Sequence, residues 1–211
     1  MAFLSHFSAP NPDVSPAVRK VQGFSHRKRE DEIMRAHVGA PPKKLNGQVT
    51  LSEYDSSWPK LFAKERQRIK RALAQNAISI EHVGSTSVPG LAAKPIIDIL
   101  LVVDSSANEA SYVPALEFIG YVLRIREPGW HEHRLLKGTN INLHVFSKGD
   151  DEIERMLAFR DWLRKNQEDM ELYLRTKREL ARRNWKYTQN YADAKSKVVE
   201  SIIKKARLRR Y

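Results

Sequence analysis

Glu81-His82-Val83-Gly84-Ser85-Thr86-Ser87-Val88-Pro89-Gly90-Leu91-Ala92-Ala93-Lys94-Pro95-Ile96-Ile97-Asp98-Ile99-Leu100-Leu101 decides the fold of this chain. A strand ends at Gly84-Ser85, a loop of small residues and turn formers follows, and a second apolar strand carries Asp98. Gly84 lets a backbone come close to a phosphate, and Ser85 adds a hydroxyl beside free backbone amides. Gly84, Ser85 and Thr86 are therefore the expected nucleotide-binding turn. A carboxylate on the next strand is placed to hold a divalent cation against the same phosphates. In outline this is a nucleoside-triphosphate site.

Asp98 is the only charge between Ile96 and Val103. A lone carboxylate in an apolar strand is costly unless something neutralises it. Two readings stand: Asp98 is a metal ligand, or it is satisfied by backbone groups or by Lys94. Lys94 lies on the approach to Asp98 and suits a triphosphate as a point charge.

Working outward, Val49-Thr50-Leu51 reads as a strand opening the compact part. Ser57 and Pro59 start a helix whose stripe of Leu61, Phe62, Glu65, Ile69 and Leu73 runs to about Ala74. Ile78 to Val83 reads as a strand with Ile78, Ile80 and His82 on one side. Residues 109–119 read as a helix, and Tyr121 to Arg126 as a strand. Arg134 to Lys137 and Ile141 to Phe146 form a hairpin around Gly138-Thr139-Asn140. From Asp151 the apolar period becomes 3.6, and stripes at Ile153–Leu163, Met170–Leu180 and Tyr191–Ile202 predict three closing helices. The fold class is α+β: a mixed β-sheet with flanking helices and a C-terminal helical segment.

Three parts are expected. Residues 1–46 form an N-terminal extension, partly mobile, with a short charged helix from Ser25 as cap to His37 and Gly39 as its stop. Residues 47–150 form the α/β core, and residues 151–211 a helical segment packed on it. The net charge of +12 divides as +4, +1 and +7 over these parts. A basic surface attracts nucleotides or nucleic acid, and it also serves simple solubility. Arg182-Arg183-Asn184-Trp185-Lys186-Tyr187 has the basic and aromatic mixture that grips nucleic acid, or else is a helix end with snorkelling side chains. With no cysteine, disulfides, Cys-based zinc sites and thiol nucleophiles are excluded. No apolar run approaches the ~18 residues of a membrane span, and the first residues lack a secretory pattern. The expectation is a soluble cytoplasmic protein with no membrane partner.

The string EHVGSTSVPGLAAKPIIDI resembles the signature segment of the GrpB-like family, which is placed among the nucleotidyltransferase folds. The likeness continues in Tyr54-Asp55-x-x-Trp58, Leu143-His144-Val145, Phe159-Arg160-Asp161-Trp162-Leu163-Arg164 and Tyr191-x-x-x-Lys195, over roughly residues 48 to 205. The resemblance implies a nucleotidyltransferase-like core. It further implies metal-dependent transfer from ATP or another nucleoside triphosphate, with Mg²⁺ or Mn²⁺, to a small-molecule or protein acceptor. Related domains fused to dephospho-coenzyme A kinases add a nucleotide or coenzyme ligand to the expected partners. Similar residues across the family give Arg160 and Lys195 a cleft-facing, nucleotide-binding role.

The wider superfamily pattern is Gly-Ser, a spacer, then Asp-hydrophobic-Asp/Glu. Here the spacer from Thr86 to Ile97 has an acceptable length, but Leu100 stands where the second acid belongs, on the same strand face as Asp98. A partner is expected from the neighbouring strand. Ile141, Leu143 and Val145 point one way and Asn142, His144 and Phe146 the other, which turns His144 toward the cleft. Asp98 and His144 are thus the expected catalytic pair and metal ligands; otherwise His144 hydrogen-bonds across the sheet. An imidazole suits Mn²⁺ or zinc better than Mg²⁺. Arg134 and Lys137 read as phosphate contacts, and Glu81 and His82 as support for the loop or metal. His131-Glu132-His133 matches no established zinc spacing and reads as a polar loop. The competing function is a non-catalytic nucleotide, coenzyme or RNA-binding module whose degenerate site is recorded at Leu100.

Overall fold

The structure is a computed structural model and describes residues 28–209. In chain order the elements are α1 (Glu30–Ala36), α2 (Trp58–Leu73), β1 (Ser79–Val83), β2 (Ile97–Val103) and α3 (Val113–Phe118). Then come β3 (Val122–Glu127), β4 (His133–Gly138), β5 (Ile141–Ser147), α4 (Asp151–Lys165), α5 (Gln167–Ala181), α6 (Thr188–Ala194) and α7 (Ser196–Leu208). The strands form one mixed sheet in the order β1-β2-β5-β4-β3. Among the described residues only β2 and β5 pair in parallel. The expected α+β class is therefore the observed one.

The sheet's two faces carry different layers, and β2 is buried by both. Ile97, Ile99, Leu101 and Val103 pack with Ile69 and Leu73 of α2 and Leu116 of α3. Leu100 and Val102 pack with Val83, Phe146 and, from α4, Ile153, Met156 and Leu157. That is why β2 reads as an unbroken apolar run, since a strand covered twice has no polar face. Asp98 lies on the α4 side, near the end of the strand where this apolar patch stops.

Helix α2 begins where Ser57 and Pro59 indicate, but Asp55 performs the cap by accepting the Ser57 amide at 2.7 Å. Its stripe is narrower than expected, because Leu61 is 48% exposed. The hairpin forms as expected. Gly138 pairs with Ile141, leaving Thr139 and Asn140 as the turn, with Asn140 at φ +57°.

Four expectations change. Val49 to Leu51 is extended but joins no ladder; it is held by isolated bridges from Gly47 to Trp185 and from Ser52 to Ala93. The helix over 109–119 is split into a 3₁₀ turn at Glu109–Ser111 and α3. Pro114 explains the split, since its ring would clash with a helical carbonyl four residues back. The third C-terminal stripe is shared by α6 and α7, so four helices close the chain. The break falls at Lys195, whose amide bonds back to Ala192 in a tightened turn.

The fourth change concerns the N-terminal part. Ser25 and the residues before it lie outside the described residues. Helix α1 starts after Arg29, whose amide donates to Glu32 at 2.7 Å, and it ends at Ala36, with His37 as its extended cap and Gly39 beyond it. From there the chain is docked. The Val38 amide donates to Arg124 on β3 at 2.9 Å, and the Leu45 amide donates to Lys186 at 2.8 Å. Among the described residues no helix is long and apolar enough to cross a membrane.

Candidate functional site

Strand β1 delivers the chain to Gly84 opposite Asp98, because Val83 and Asp98 are direct partners across the antiparallel pair. Gly84 adopts φ +68°, ψ −172°, a region essentially confined to glycine. The space is equally restrictive. A Cβ at Gly84 would collide with Asp98 Oδ2 and sit 2.9 Å from Asp98 Cβ. Gly84 thus admits the carboxylate against the backbone.

The next turn, Ser85–Ser87, is held from inside and outside. Ser87 Oγ donates to the Gly84 carbonyl at 2.6 Å. Thr86 Oγ1 donates to the Ile96 carbonyl at 3.3 Å and lies 3.0 Å from His82 Nε2. The Thr86 hydroxyl is thus buried and tied to the residue just before β2. His82 lies on the α2 face, stacked on Phe62 at 4.8 Å, and burial lowers its imidazole to about 4. It supports the loop as a neutral ring.

Helix α4 clamps the same loop. Arg164 donates twice to the Ser87 carbonyl, at 3.0 and 2.8 Å. Arg160 donates to the His82 carbonyl at 3.0 Å and pairs with Glu81 at 2.9 Å and Asp161 at 2.7 Å. Arg160 and Glu81 therefore join α4 to β1, and two carboxylates already face the guanidinium.

Asp98 Oδ1 accepts from Asn142 Nδ2 at 2.8 Å and lies 3.8 Å from His144 Nε2. The parallel register produces this grouping, with Asp98 beside Asn142 and Leu100 beside His144. Burial alone would raise the Asp98 carboxyl; His144, Asn142 and Lys94 outweigh it and hold the group below its ordinary range. Asp98 is an ionised carboxylate at neutral pH.

Three lysines from separate parts of the chain share its field. Lys94 precedes β2, Lys177 is on α5 and Lys195 is at the α6–α7 break. Burial lowers the Lys94 and Lys195 amines to about 8, with Asp98 opposing that trend in both. Lys177 is 2% exposed, is pushed well below the ordinary lysine value by burial, and donates to the Ala92 carbonyl at 2.6 Å. The Lys195 ammonium rests 4.5 Å from the Tyr191 ring centroid. Tyr173, raised to about 12 by burial, is hydrogen-bonded to the Ser85 side chain.

Sequence reasoning missed Lys177 and Tyr173 as site residues. Tyr173 was legible only as a member of the α5 stripe. Lys177 left a signal, for it falls in step with Met170, Tyr173 and Leu180, a buried position that an ordinary lysine avoids.

Arg134 is not brought to this group. It pairs with Val145, which faces α2, so Arg134 lies across the sheet from Asp98. There it donates to Glu109 at 2.6 Å and to the Glu132 carbonyl at 2.8 Å. Lys137 pairs with Asn142 and shares the Asp98 face, at the exposed rim. In the Arg182–Tyr187 run, Trp185 and Tyr187 are buried at 8% and 4% exposure, which leaves that run no open aromatic face for a base.

His131 and His133 part company. His131 Nδ1 lies 2.9 Å from Asp150 Oδ1 and 3.2 Å from Asp151 Oδ1 at the start of α4. Asp150 Oδ1 also accepts the Glu152 amide at 2.9 Å, so the group closes that helix end. His133 points instead toward His144, with Nε2 3.1 Å from His144 Nδ1. Its Nδ1 lies 2.8 Å from Glu127 Oε2. Burial lowers His133 to about 4. Burial would raise Glu127, but His133 and Lys28 hold it at about 2.

The arrangement combines a glycine-admitted carboxylate, a flanking imidazole and several amines around one turn. Such a group can neutralise a polyanion and hold one cation beside it. Comparisons with known proteins agree with the motif. The chain is 58% identical over 180 residues to the UPF0157 protein BH1888 of Halalkalibacterium halodurans, spanning 84% of this chain and 92% of that one. The crystal structure of conserved protein GrpB from Enterococcus faecalis matches at 35% identity and a TM-score of 0.66, over 74% of this chain and 96% of that chain. Cid1, a protein described with RNA terminal uridylyl transferase activity, shares 16% identity at a TM-score of 0.40 over 60% of this chain and 41% of that one. Residues 48–205 match the family described as GrpB protein, and the chain belongs to the GrpB family.

Proposed function

We propose that the cleft binds a nucleoside triphosphate and transfers its nucleotidyl group to a hydroxyl or amine of a small-molecule or protein acceptor. One observation carries the reading: Lys94, Lys177 and Lys195 share the field of one carboxylate beside the Gly84-Ser85 turn. Several amines against one Asp leave an excess of positive charge in a partly desolvated place, which a polyphosphate matches.

The donor set fits one divalent cation. Asp98 and His144 would hold it, and the imidazole favours Mn²⁺ over Mg²⁺. A second ion lacks its carboxylate, because Leu100 is fully buried among apolar side chains. When bound, the ion would supply Lewis-acid neutralisation of phosphate charge. The remaining work belongs to the chain. Its lysines balance the triphosphate, Tyr173 orients the Ser85 hydroxyl, and the arginines of α4 keep the turn rigid. Beside Asp98, His144 acts as second ligand or as proton acceptor, and either role needs a lone pair on Nε2.

Calorimetric titration with ATP, other triphosphates and AMP, with and without Mn²⁺ or Mg²⁺, tests the binding half. The expected result is tightest binding of a triphosphate with Mn²⁺, weakened at least about tenfold by Lys177→Met or Lys195→Met, a loss of about 1.4 kcal/mol. In Asp98→Ala the metal-dependent part should vanish. Equal metal-dependent affinity in wild type and Asp98→Ala would sink the reading. Transfer of an α-labelled nucleotide to candidate acceptors tests the chemistry. Leu100 favours a second reading, a nucleotide- or coenzyme-binding module without catalysis; binding with no transfer to any acceptor selects it.

A further inference from the structure

Tyr191 on α6 is 2% exposed, and among the described residues its hydroxyl is the one buried side-chain nitrogen or oxygen that no other group pairs with. Buried hydroxyls are almost always hydrogen-bonded, because an unpaired one gives up water and receives no partner in return. The ring alone does not account for a tyrosine here. It packs in the cluster of Val49, Leu180, Ala181 and Trp185, and the Lys195 ammonium lies 4.5 Å from its centroid. A phenylalanine would supply the same packing and the same π face without burying an oxygen.

The surroundings place this hydroxyl beside the candidate site. Tyr173, Lys177 and Leu180 follow one another on the buried face of α5. Tyr191 clusters with Leu180 and Ala181 at one end of that face, and it feels the charge of Tyr173 at the other. Tyr173 is hydrogen-bonded to the Ser85 side chain, and Gly84 next to Ser85 lies against Asp98. A line of contacts therefore runs from the carboxylate, through the Gly84-Ser85 turn and Tyr173, to Tyr191. Amines accompany it, for the Lys177 ammonium lies 5.3 Å from the Tyr173 ring centroid and that of Lys195 sits over Tyr191.

We infer that the Tyr191 hydroxyl is held for the ligand: it donates to the terminal phosphate of the bound nucleotide and makes the site a reader of polyphosphate length. This role rests on the nucleotidyl transfer proposed above, which puts the α-phosphate nearest Asp98 and leaves the β- and γ-phosphates to extend along the line of amines. Two properties select an oxyanion over a neutral partner. Burial pushes the Tyr191 hydroxyl well above the ordinary tyrosine range, so it keeps its proton and can donate. The lysines beside both tyrosine rings make the surrounding field positive, and a hydroxyl bond to a charged oxygen is the stronger kind. A diphosphate seated by its α-phosphate falls one phosphoryl group short of α6 and leaves the hydroxyl unpaired. Tyr191 is thus a specificity-determining residue.

The test compares the full chain with Tyr191→Phe, which keeps the ring and its contact with Lys195. Calorimetric titrations use ATP, ADP, AMP and inorganic tripolyphosphate with Mn²⁺ at neutral pH, and thermal melts are recorded without ligand. Wild type should prefer ATP to ADP. Tyr191→Phe should weaken ATP and tripolyphosphate at least about tenfold, the loss of one hydrogen bond to a charged group, and leave AMP unchanged. The unliganded variant should melt no lower than wild type, since it sheds an unpaired buried oxygen. A hydroxyl that only served the fold would lower the melt and weaken all four ligands alike, and that result overturns the inference. So does an ATP affinity equal to that of wild type, or a wild type that binds no polyphosphate at all. If tripolyphosphate depends on Tyr191 as expected while no nucleotidyl group passes to any acceptor, the Tyr191 contact stands and the transferase reading alone fails.

Discussion

At Gly84 a hydrogen atom does what no side chain could. The φ/ψ region and the collision with Asp98 are separate obstacles, and each acts on a different property. Backbone strain of this kind costs about 1–3 kcal/mol, and the steric conflict adds to it by driving Asp98 from its place. Gly84→Ala is thus expected to lower stability by about 2–4 kcal/mol in urea unfolding. It should also abolish Mn²⁺-dependent nucleotide binding. Gly90→Ala is the control, since Gly90 has φ +78° but no atom within 4 Å of an added Cβ. That variant should show the smaller, strain-only loss with binding intact. If the two variants lose equal stability and bind equally, Gly84 is only a turn residue.

At the same scale, legibility depended on how local the cause was. Asp98 and His144 were named from the sequence because parity fixes which side of its own strand each takes; that these sides coincide, with Asn142 beside Asp98, follows from the parallel pairing of β2 and β5. Arg134 lies on the opposite face of the sheet, since its partner Val145 points the other way. Thr86 was not readable, since nothing in its neighbours announces that its hydroxyl turns inward to Ile96.

Strand β2 records the departure from a two-metal site. Leu100 is fully buried beneath α4, with Val83 and Phe146 beside it. Restoring the expected acid would put an unpaired carboxylate into that contact. Leu100→Asp should therefore cost about 4 kcal/mol or more and give no gain in nucleotidyl transfer. Leu100→Met should stay within about 1.5 kcal/mol of wild type. A folded Leu100→Asp chain that binds additional Mn²⁺ would mean the apolar cover over β2 is not what closes the site. The element boundaries that failed have equally specific causes. Pro114 divides the 109–119 helix, a tight turn at Lys195 divides the last stripe, and Val49–Leu51 finds bridge partners at its ends but no strand beside it.

Across the whole molecule, the amines beside Asp98 set function against stability. Lys94 and Lys195 ordinarily titrate at 10.5, and burial lowers both to about 8. Below pH 8 native and unfolded chains both hold these protons, and the native state bears the desolvation penalty. Between about 8 and 10.5 the native state sheds them first, so the unfolded state binds more protons and these groups make stability rise with pH. Lys195→Met should raise Tm at pH 7 by a few degrees, corresponding to about 1 kcal/mol or more in a chain this size, and should flatten that rise. Affinity for a triphosphate should move the opposite way, falling as pH passes through about 8 and the cations disappear. Thermal melts and titrations from pH 7 to 10 read both. An unchanged pH profile in Lys195→Met would remove this lysine from the account.

The amino-acid sequence by itself determined the strand–turn–strand around Gly84-Ser85, the side of its strand that Asn142 and His144 share, and the missing acid at Leu100. Those features follow from backbone periodicity and the conformations open to each residue, which act between near neighbours. The tertiary structure alone decided that Lys177 reaches the Ala92 carbonyl from 85 positions away, that Lys195 shares the field of Asp98, and that His133 and Glu127 join His144 from β4 and β3. Those groupings depend on how helices and strands distant in sequence pack together, and on the burial that packing creates. Burial is also what shifts the protonation of the lysines and of His133, so the charge state of the site is a property of the folded molecule.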